Sequence, residues 1–159
     1  MKDKYHELVQ FGKNLLNTES LNDGMLYISL NAKSLTGAER CSIFIYDINE
    51  DELWTILADE SEKIVVPYDL GIVGQTIKIR KPILENDPYD NAHFLSDVDI
   101  QTGYYTRNLL TSPIFNSKRE IIGVIQLLNK EDGFNQKDME FLSFFSHYIS
   151  SFIELSTDN

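Results

Sequence analysis

Apolar residues set the first elements of the chain. Tyr5, Leu8, Val9, Leu15 and Leu16 recur with a helical period that Gly12 interrupts. Ser20 is placed to cap a second helix carrying Leu21, Met25, Ile28 and Leu35 and closing at Gly37. The period then shortens to that of a strand. Residues 40–47 (Arg-Cys-Ser-Ile-Phe-Ile-Tyr-Asp) are rich in β-branched and aromatic side chains, 48–51 are a polar turn, and 52–59 (Glu-Leu-Trp-Thr-Ile-Leu-Ala-Asp) form the return strand of a hairpin.

A short strand follows at Lys63–Val66, and Gly71-Ile72-Val73-Gly74 opens a short helix that stops before Pro82. Residues 85–97 have turn composition with a few apolar anchors, as a partly helical lid would. Two long strands are predicted near 108–115 and 120–128, joined by Asn-Ser-Lys-Arg, and a last helix runs from about Gln136 to Leu155. Helices at both ends of a hairpin-rich middle indicate an α+β domain, a mixed α/β fold with a mostly antiparallel sheet.

The last helix carries Phe141, Leu142, Phe144, Phe145, Tyr148, Ile149, Phe152, Ile153 and Leu155 over about half of its circumference, against a stripe of roughly 100° for one packing surface. Ser143, Ser146, His147, Ser150 and Glu154 fall on the other half. Such width fits either a deep groove within one domain or a helix that packs on its own sheet and also on a partner. The aromatic excess on a terminal helix favours the second.

Residues 98–108 (Val-Asp-Ile-Gln-Thr-Gly-Tyr-Tyr-Thr-Arg-Asn) pose a separate question. In a helix, Asp99, Thr102 and Thr106 share one face. They face water, or they face inward toward a small polar molecule; periodicity alone favours water. Gly103 can end the helix in a left-handed turn and leave Thr106 in extended chain.

Composition narrows the function classes. A length of 159 residues suits one domain with a sizeable core. The net charge of −11 argues against nonspecific binding to nucleic acid or an anionic membrane, which needs clustered Lys and Arg. It leaves open an anionic small ligand, because charges beyond about 8 Å are largely screened and a helix N-terminus can hold a phosphate. Neither a membrane-length apolar run nor a signal-peptide core is present, and a single cysteine, Cys41, allows no disulfide framework. These features point to the cytoplasm. His6, His93 and His147 are scattered, with no metal-hydrolase spacing.

In order along the chain stand Arg40-Cys41-Ser42, the strand 52–59, Gly71-Ile72-Val73-Gly74, residues 98–108, and Gly-Val-Ile-Gln-Leu-Leu-Asn-Lys at 123–130. This series resembles the GAF domains of cyclic-nucleotide phosphodiesterases and cyanobacterial adenylyl cyclases, over residues 20–155. The resemblance implies a central antiparallel sheet of about six strands, with terminal helices on one face and short helices and a ligand lid on the other. Residues 1–19 are then an N-terminal connecting or dimerising helix, 20–155 the domain, and 156–159 a tail. The family signature is matched by Asn129-Lys130, Phe134 and Asp138, with Met139 where the family has glutamate. It implies a structural clasp, Lys130 to Asp138, with Phe134 plugging the turn.

The resemblance also implies a pocket. Asp99, Thr102 and Thr106 match lid residues that line it, and Ser42, Ala58, Asp59, Ile72, Val73 and Gln126 match other wall positions. Asp59 and Gln126 have the donors and acceptors to read a purine edge, and the backbone N–H groups after Gly71 suit a phosphate. Ala58 departs from members that stack an aromatic on the base. The implied role is a sensor that binds cAMP or cGMP, holds no other cofactor and no metal, pairs as a homodimer through its terminal helices, and relays the signal to a partner domain. The alternative is a ligand-free dimerisation or interaction module. Catalysis is not expected. Reduction of free methionine sulfoxide, known in the family, needs several cysteines, and bilin attachment needs one outside the strand that holds Cys41.

Overall fold

The computed structural model describes residues 2–55, 64–94 and 105–157. In chain order these form α1 (Lys2–Leu15), α2 (Leu21–Thr36), β1 (Ala38–Asp47), β2 (Glu52–Thr55), β3 (Ile64–Val66), α3 (Gly71–Ile79), β4 (Ile83–Glu85), a 3-10 turn at Pro88–Asp90, β5 (Leu109–Phe115), β6 (Ile121–Lys130) and α4 (Gln136–Thr157). The strands make one six-stranded sheet in the order β3-β2-β1-β6-β5-β4, every neighbouring pair antiparallel. This is the α+β architecture that the residue pattern predicts.

Local chemistry sets the element ends. The Ser20 hydroxyl accepts the Asp23 N–H at 3.1 Å, and Gly37, at φ 84°, donates to the Lys33 carbonyl at 2.8 Å. These are the cap and the left-handed stop that Ser20 and Gly37 announce. Period-two alternation then assigns the faces of the central strands. Ile43 and Ile45 of β1, Leu110 and Ile114 of β5, and Ile125 and Leu127 of β6 turn to one side and pack with Leu8, Phe11, Leu15, Met25, Ile28, Phe145, Ile149 and Ile153 of α1, α2 and α4. On the other side Leu53 and Val124 pack with Val73 of α3, flanked by Phe44 and Tyr46.

Three features differ from the pattern. Gly12 does not interrupt α1; the helix runs through it, and glycine is required there because a Cβ would lie 2.9 Å from the Tyr148 ring. The glycine marks close approach of α1 and α4. Strand β4, at the edge, falls where turn composition begins, and three residues are too few to display a period. Ser146 is buried rather than on the solvent half of α4, its hydroxyl donating to the Leu142 carbonyl at 2.8 Å. A back-bonded serine satisfies itself and can face a core. Phe144, Tyr148 and Leu155 of α4 stay exposed, together with Val9 and Leu16 at the first helix.

Gly24 makes the tightest of these contacts, since a Cβ built on it would fall 2.0 Å from the Phe152 ring. Gly24→Ala gains roughly 1 kcal/mol of helix propensity but overpacks the contact at roughly 1–3 kcal/mol. Net destabilisation is expected in urea unfolding, and Gly24→Ala combined with Phe152→Leu is expected to recover most of it.

Candidate functional site

The sheet face away from the terminal helices carries a short polar row. Ser42 pairs with Gln126 across β1 and β6, and Gln126 pairs with Thr111 across β6 and β5. Directly opposed residues point to the same side of a sheet, so three hydrogen-bonding side chains lie abreast. Helix α3 covers one end of the row. Thr76 donates its hydroxyl proton to the Ile72 carbonyl at 2.8 Å and stands 2.6 Å from the Thr111 hydroxyl. A hydroxyl has one proton, so Thr111 is the donor of the second bond. Both threonines are buried, and the pair locks α3 to the sheet.

Among the described residues the start of α3 has no side-chain cap. Leu70 occupies the N-cap and offers no side-chain bond, and the first turn contains no acidic residue. Ile72 and Val73 are buried in that turn. Gly74 is needed where it stands, because a Cβ would meet the Asp69 carbonyl carbon at 2.7 Å. The helix therefore presents backbone N–H groups and the positive end of its dipole with nothing from its own sequence to satisfy them.

Thr106 is almost wholly buried, at 1% exposure, against the expectation from periodicity alone. Its position is set by Asn129 at the end of β6. The Asn129 amide oxygen accepts the N–H of Arg107 at 2.6 Å and that of Asn108 at 3.3 Å, and its amide nitrogen donates to the Tyr105 carbonyl at 2.9 Å. Asn129 has φ 60°, a left-handed conformation that asparagine tolerates better than most residues. One side chain thus grips the backbone on both sides of Thr106.

The remainder of the signature forms the adjoining corner. Lys130 Nζ lies 2.7 Å from Asp138, whose side chain is 5% exposed. The other Asp138 oxygen accepts the Asn135 N–H at 3.0 Å, and Asn135 returns the favour by accepting the Asp138 N–H at 2.9 Å. This is a reciprocal cap at the start of α4, so the clasp from β6 to the last helix is present, with Phe134 buried beneath it. Met139, in the place of the family's glutamate, packs against the main core.

Two residues of this corner escape a reading of the sequence. Asn108 bonds both the N–H and the carbonyl of Lys130, at 2.8 and 3.0 Å, and Asn86 does the same for Phe134, at 3.0 Å each. Side-chain amides here imitate a strand partner. Asparagine in a loop is too common a residue to announce such a role.

The structure thus pairs Ser42 with Gln126 on the sheet face that α3 covers, sets Ile72 and Val73 in the first turn of α3, and holds the chain around Thr106 through Asn129 at the end of β6. Ala58, Asp59, Asp99 and Thr102 lie outside the described residues. Cys41, on the helix side of β1, is half-buried as a residue. Burial of its thiol raises the pKa to about 12, against smaller lowering effects of a Ser29 hydrogen bond and the Lys33 charge.

A family model for the GAF domain matches residues 28–153. The chain belongs to the GAF domain family. The cGMP-specific 3',5'-cyclic phosphodiesterase of Drosophila melanogaster is 28% identical to it over 165 aligned residues, which cover 92% of this chain and 14% of that protein. The chain therefore spans about a seventh of the length of such relatives. Among solved structures, the GAF domain of a phosphoenolpyruvate-protein phosphotransferase from Coxiella burnetii superposes with a TM-score of 0.84 at 15% identity, covering 98% of this chain and 95% of that one. A free methionine-R-sulfoxide reductase from Neisseria meningitidis gives 0.74 at 17% identity, covering 95% and 88%. These two likenesses concern the fold alone.

The corner yields a stability test. Asn129→Ala removes three hydrogen bonds, each contributing roughly 0.5–1.5 kcal/mol, and places a Cβ-bearing residue without a local partner in the left-handed region. Asn129→Gly loses the same bonds and avoids the backbone penalty of roughly 1 kcal/mol. In chemical unfolding both variants are expected to be destabilised, the alanine more than the glycine by about that amount.

Proposed function

We propose that this GAF domain is a sensor whose pocket takes a cyclic purine nucleotide, cAMP or cGMP, and that it passes occupancy to a partner domain or subunit through its end helices. The observation that carries the reading is the polar row Ser42–Gln126–Thr111 beside a helix start that lacks its own cap. A cyclic nucleotide needs both halves of that arrangement. Its phosphate is a compact monoanion suited to free N–H groups at the start of α3, and its base edge requires fixed donors and acceptors such as the Gln126 amide. The phosphodiesterase relatives support the same ligand class.

The reading includes Asp59 on the return strand and Asp99 and Thr102 on the lid, and it assigns the domain to the cytoplasm. Among the described residues no helix is long and apolar enough to cross a membrane. It assigns no catalysis and no metal to the chain. The single cysteine is held as an unreactive thiol by burial, which does not suit a cycle of sulfoxide reduction.

Isothermal titration with cAMP and with cGMP tests the pocket. Thr106→Ala and Asp99→Ala are each expected to weaken binding about 2- to 10-fold, the equivalent of one hydrogen bond of roughly 0.5–1.5 kcal/mol. Glu50→Gln, in the exposed turn between β1 and β2, removes one negative charge and is expected to change nothing. Asp51 is unsuited to that control, because it accepts a 2.6 Å bond from the Tyr46 hydroxyl and has φ 53°. If neither nucleotide binds the wild type, the ligand-free dimerisation module takes the place of this reading.

Relay through the ends calls for a homodimer. Val9, Leu16, Phe144, Tyr148 and Leu155 are exposed, and a groove of about 510 Å³ runs between α1 and α4, lined by Val9, Gly12, Leu16, Tyr148 and Phe152. Exposed apolar surface that recurs along two adjacent helices suits a second copy of the same pair. Light scattering at micromolar concentration is expected to report a dimer. Phe144→Glu and Leu155→Glu are expected to give a folded monomer, and a monomeric wild type would sink the dimer.

A further inference from the structure

A second cavity, of about 260 Å³, lies at the sheet edge between the end of α3, the β5–β6 turn and the middle of α4. Strand β4 pairs with Leu109–Thr111, and among the described residues no strand lies beyond β5 from Ser112 onward. The guanidiniums of Arg80 and Arg119 both stack on the Phe115 ring there, at 5.1 and 4.3 Å from its centre. Arg80 also donates to the Arg119 carbonyl. His147, Ser143 and Ser146 of α4 line the facing wall, and no carboxylate is among the lining residues.

Two features set this cavity apart. The chain has 25 acidic and 14 basic residues, yet neither arginine forms a salt bridge with a described residue. Both arginines are left-handed, at φ 61° and 65°, and the other described non-glycine residues in that region are Asp51, Asn129 and Asp132. Asparagine and aspartate tolerate that conformation through local side-chain bonds, whereas arginine has no such compensation. Arg80 takes that conformation as the C-cap of α3 and Arg119 where the β5–β6 turn closes, and the two positions bring both cations to one ring. Blocking the edge against strand addition would account for positive charge, but a charge splayed into water does that as well.

We propose that this cavity is a small-oxyanion site that takes a phosphate group, either free or as a small phosphomonoester. Two planar guanidiniums, an imidazole and the Ser143 hydroxyl supply more donors than the two oxygens of a carboxylate can use, and they suit the four oxygens of phosphate, while Ser146 keeps its proton on the Leu142 carbonyl. A bound phosphate would tie the C-terminal end of α3 to the middle of α4. Because Ile72 and Val73 begin the same α3, the site is placed to tune how firmly that helix is joined to the terminal one. The proposal does not rest on the cyclic-nucleotide reading.

The test is an NMR titration of the full chain with inorganic phosphate and, separately, glycerol phosphate, against chloride at matched ionic strength. Saturable shifts of the Arg80 and Arg119 Nε–H signals and of the His147 ring are expected, and the tighter of the two compounds identifies the source of the phosphate. Arg80→Gln and Arg119→Gln are each expected to weaken binding about tenfold or more, as loss of a charged hydrogen-bond partner does. Ser143→Glu, which keeps both arginines and introduces a carboxylate into the cavity, is expected to abolish it. Shifts that chloride reproduces, that fail to saturate, or that survive in the folded Ser143→Glu variant overturn the proposal.

Discussion

The grip of Asn129 on the chain beside it is the constraint on which this domain depends. At the end of β6 the backbone turns left-handed, and a single amide bonds the polypeptide on both sides of Thr106. The next residue, Lys130, engages the buried Asp138, which caps α4. Two consecutive residues therefore anchor the segment at Thr106 and the start of the last helix. An exposed ion pair contributes about 0–1 kcal/mol, so Lys130 and Asp138 would matter little at the surface. Here Asp138 is enclosed and bonded on both oxygens, and the pair fixes geometry as much as energy.

That corner has its effect because the sheet is two-faced. The helix side is mainly apolar and closed by α1, α2 and α4, with the Phe11 ring stacked on Tyr27 at 5.3 Å and tilted against Phe145 at 4.8 Å between centres. The opposite side mixes a small apolar cluster with hydroxyls and an amide that face α3. Buried hydroxyls are costly unless bonded, and Thr76 and Thr111 answer that cost with each other and with the Ile72 carbonyl. Polarity is concentrated on the face that α3 covers, and the few hydroxyls buried among the helices, such as Ser146 and Thr36, are bonded to their own helix backbone.

Much of the fold was legible because its long elements show their period. The caps of α2 at Ser20 and Gly37, the alternation of β1 and the apolar arc of α4 are all local signals, and the structure follows them. What escaped is non-local or short. Gly12 breaks a helical pattern in sequence and serves a contact with Tyr148 that only the tertiary structure reveals. Strand β4 is recognisable only by its partner Leu109–Thr111. The burial of Thr106 could be drawn from the family resemblance but not from periodicity, and the amides of Asn86 and Asn108 were invisible because their partners lie 48 and 22 residues away.

The same geometry bears on how a sensor of this shape could signal. Helix α3 meets β5 and β6 through the Thr76–Thr111 bond and through Val73 on Val124, so an occupant at its N-terminus acts on a helix already pinned to the sheet. A large swing of α3 would leave the Thr111 hydroxyl buried without its acceptor, at roughly 1–3 kcal/mol. The Asn129 corner is the softer path to the output, because it joins the segment at Thr106 to the first turn of α4 through consecutive residues and no intervening core. A change at Thr106 can reach the last helix there without repacking the sheet. The exposed apolar flank of that helix, at Phe144 and Leu155, is then where a small rotation would change what a neighbouring surface meets.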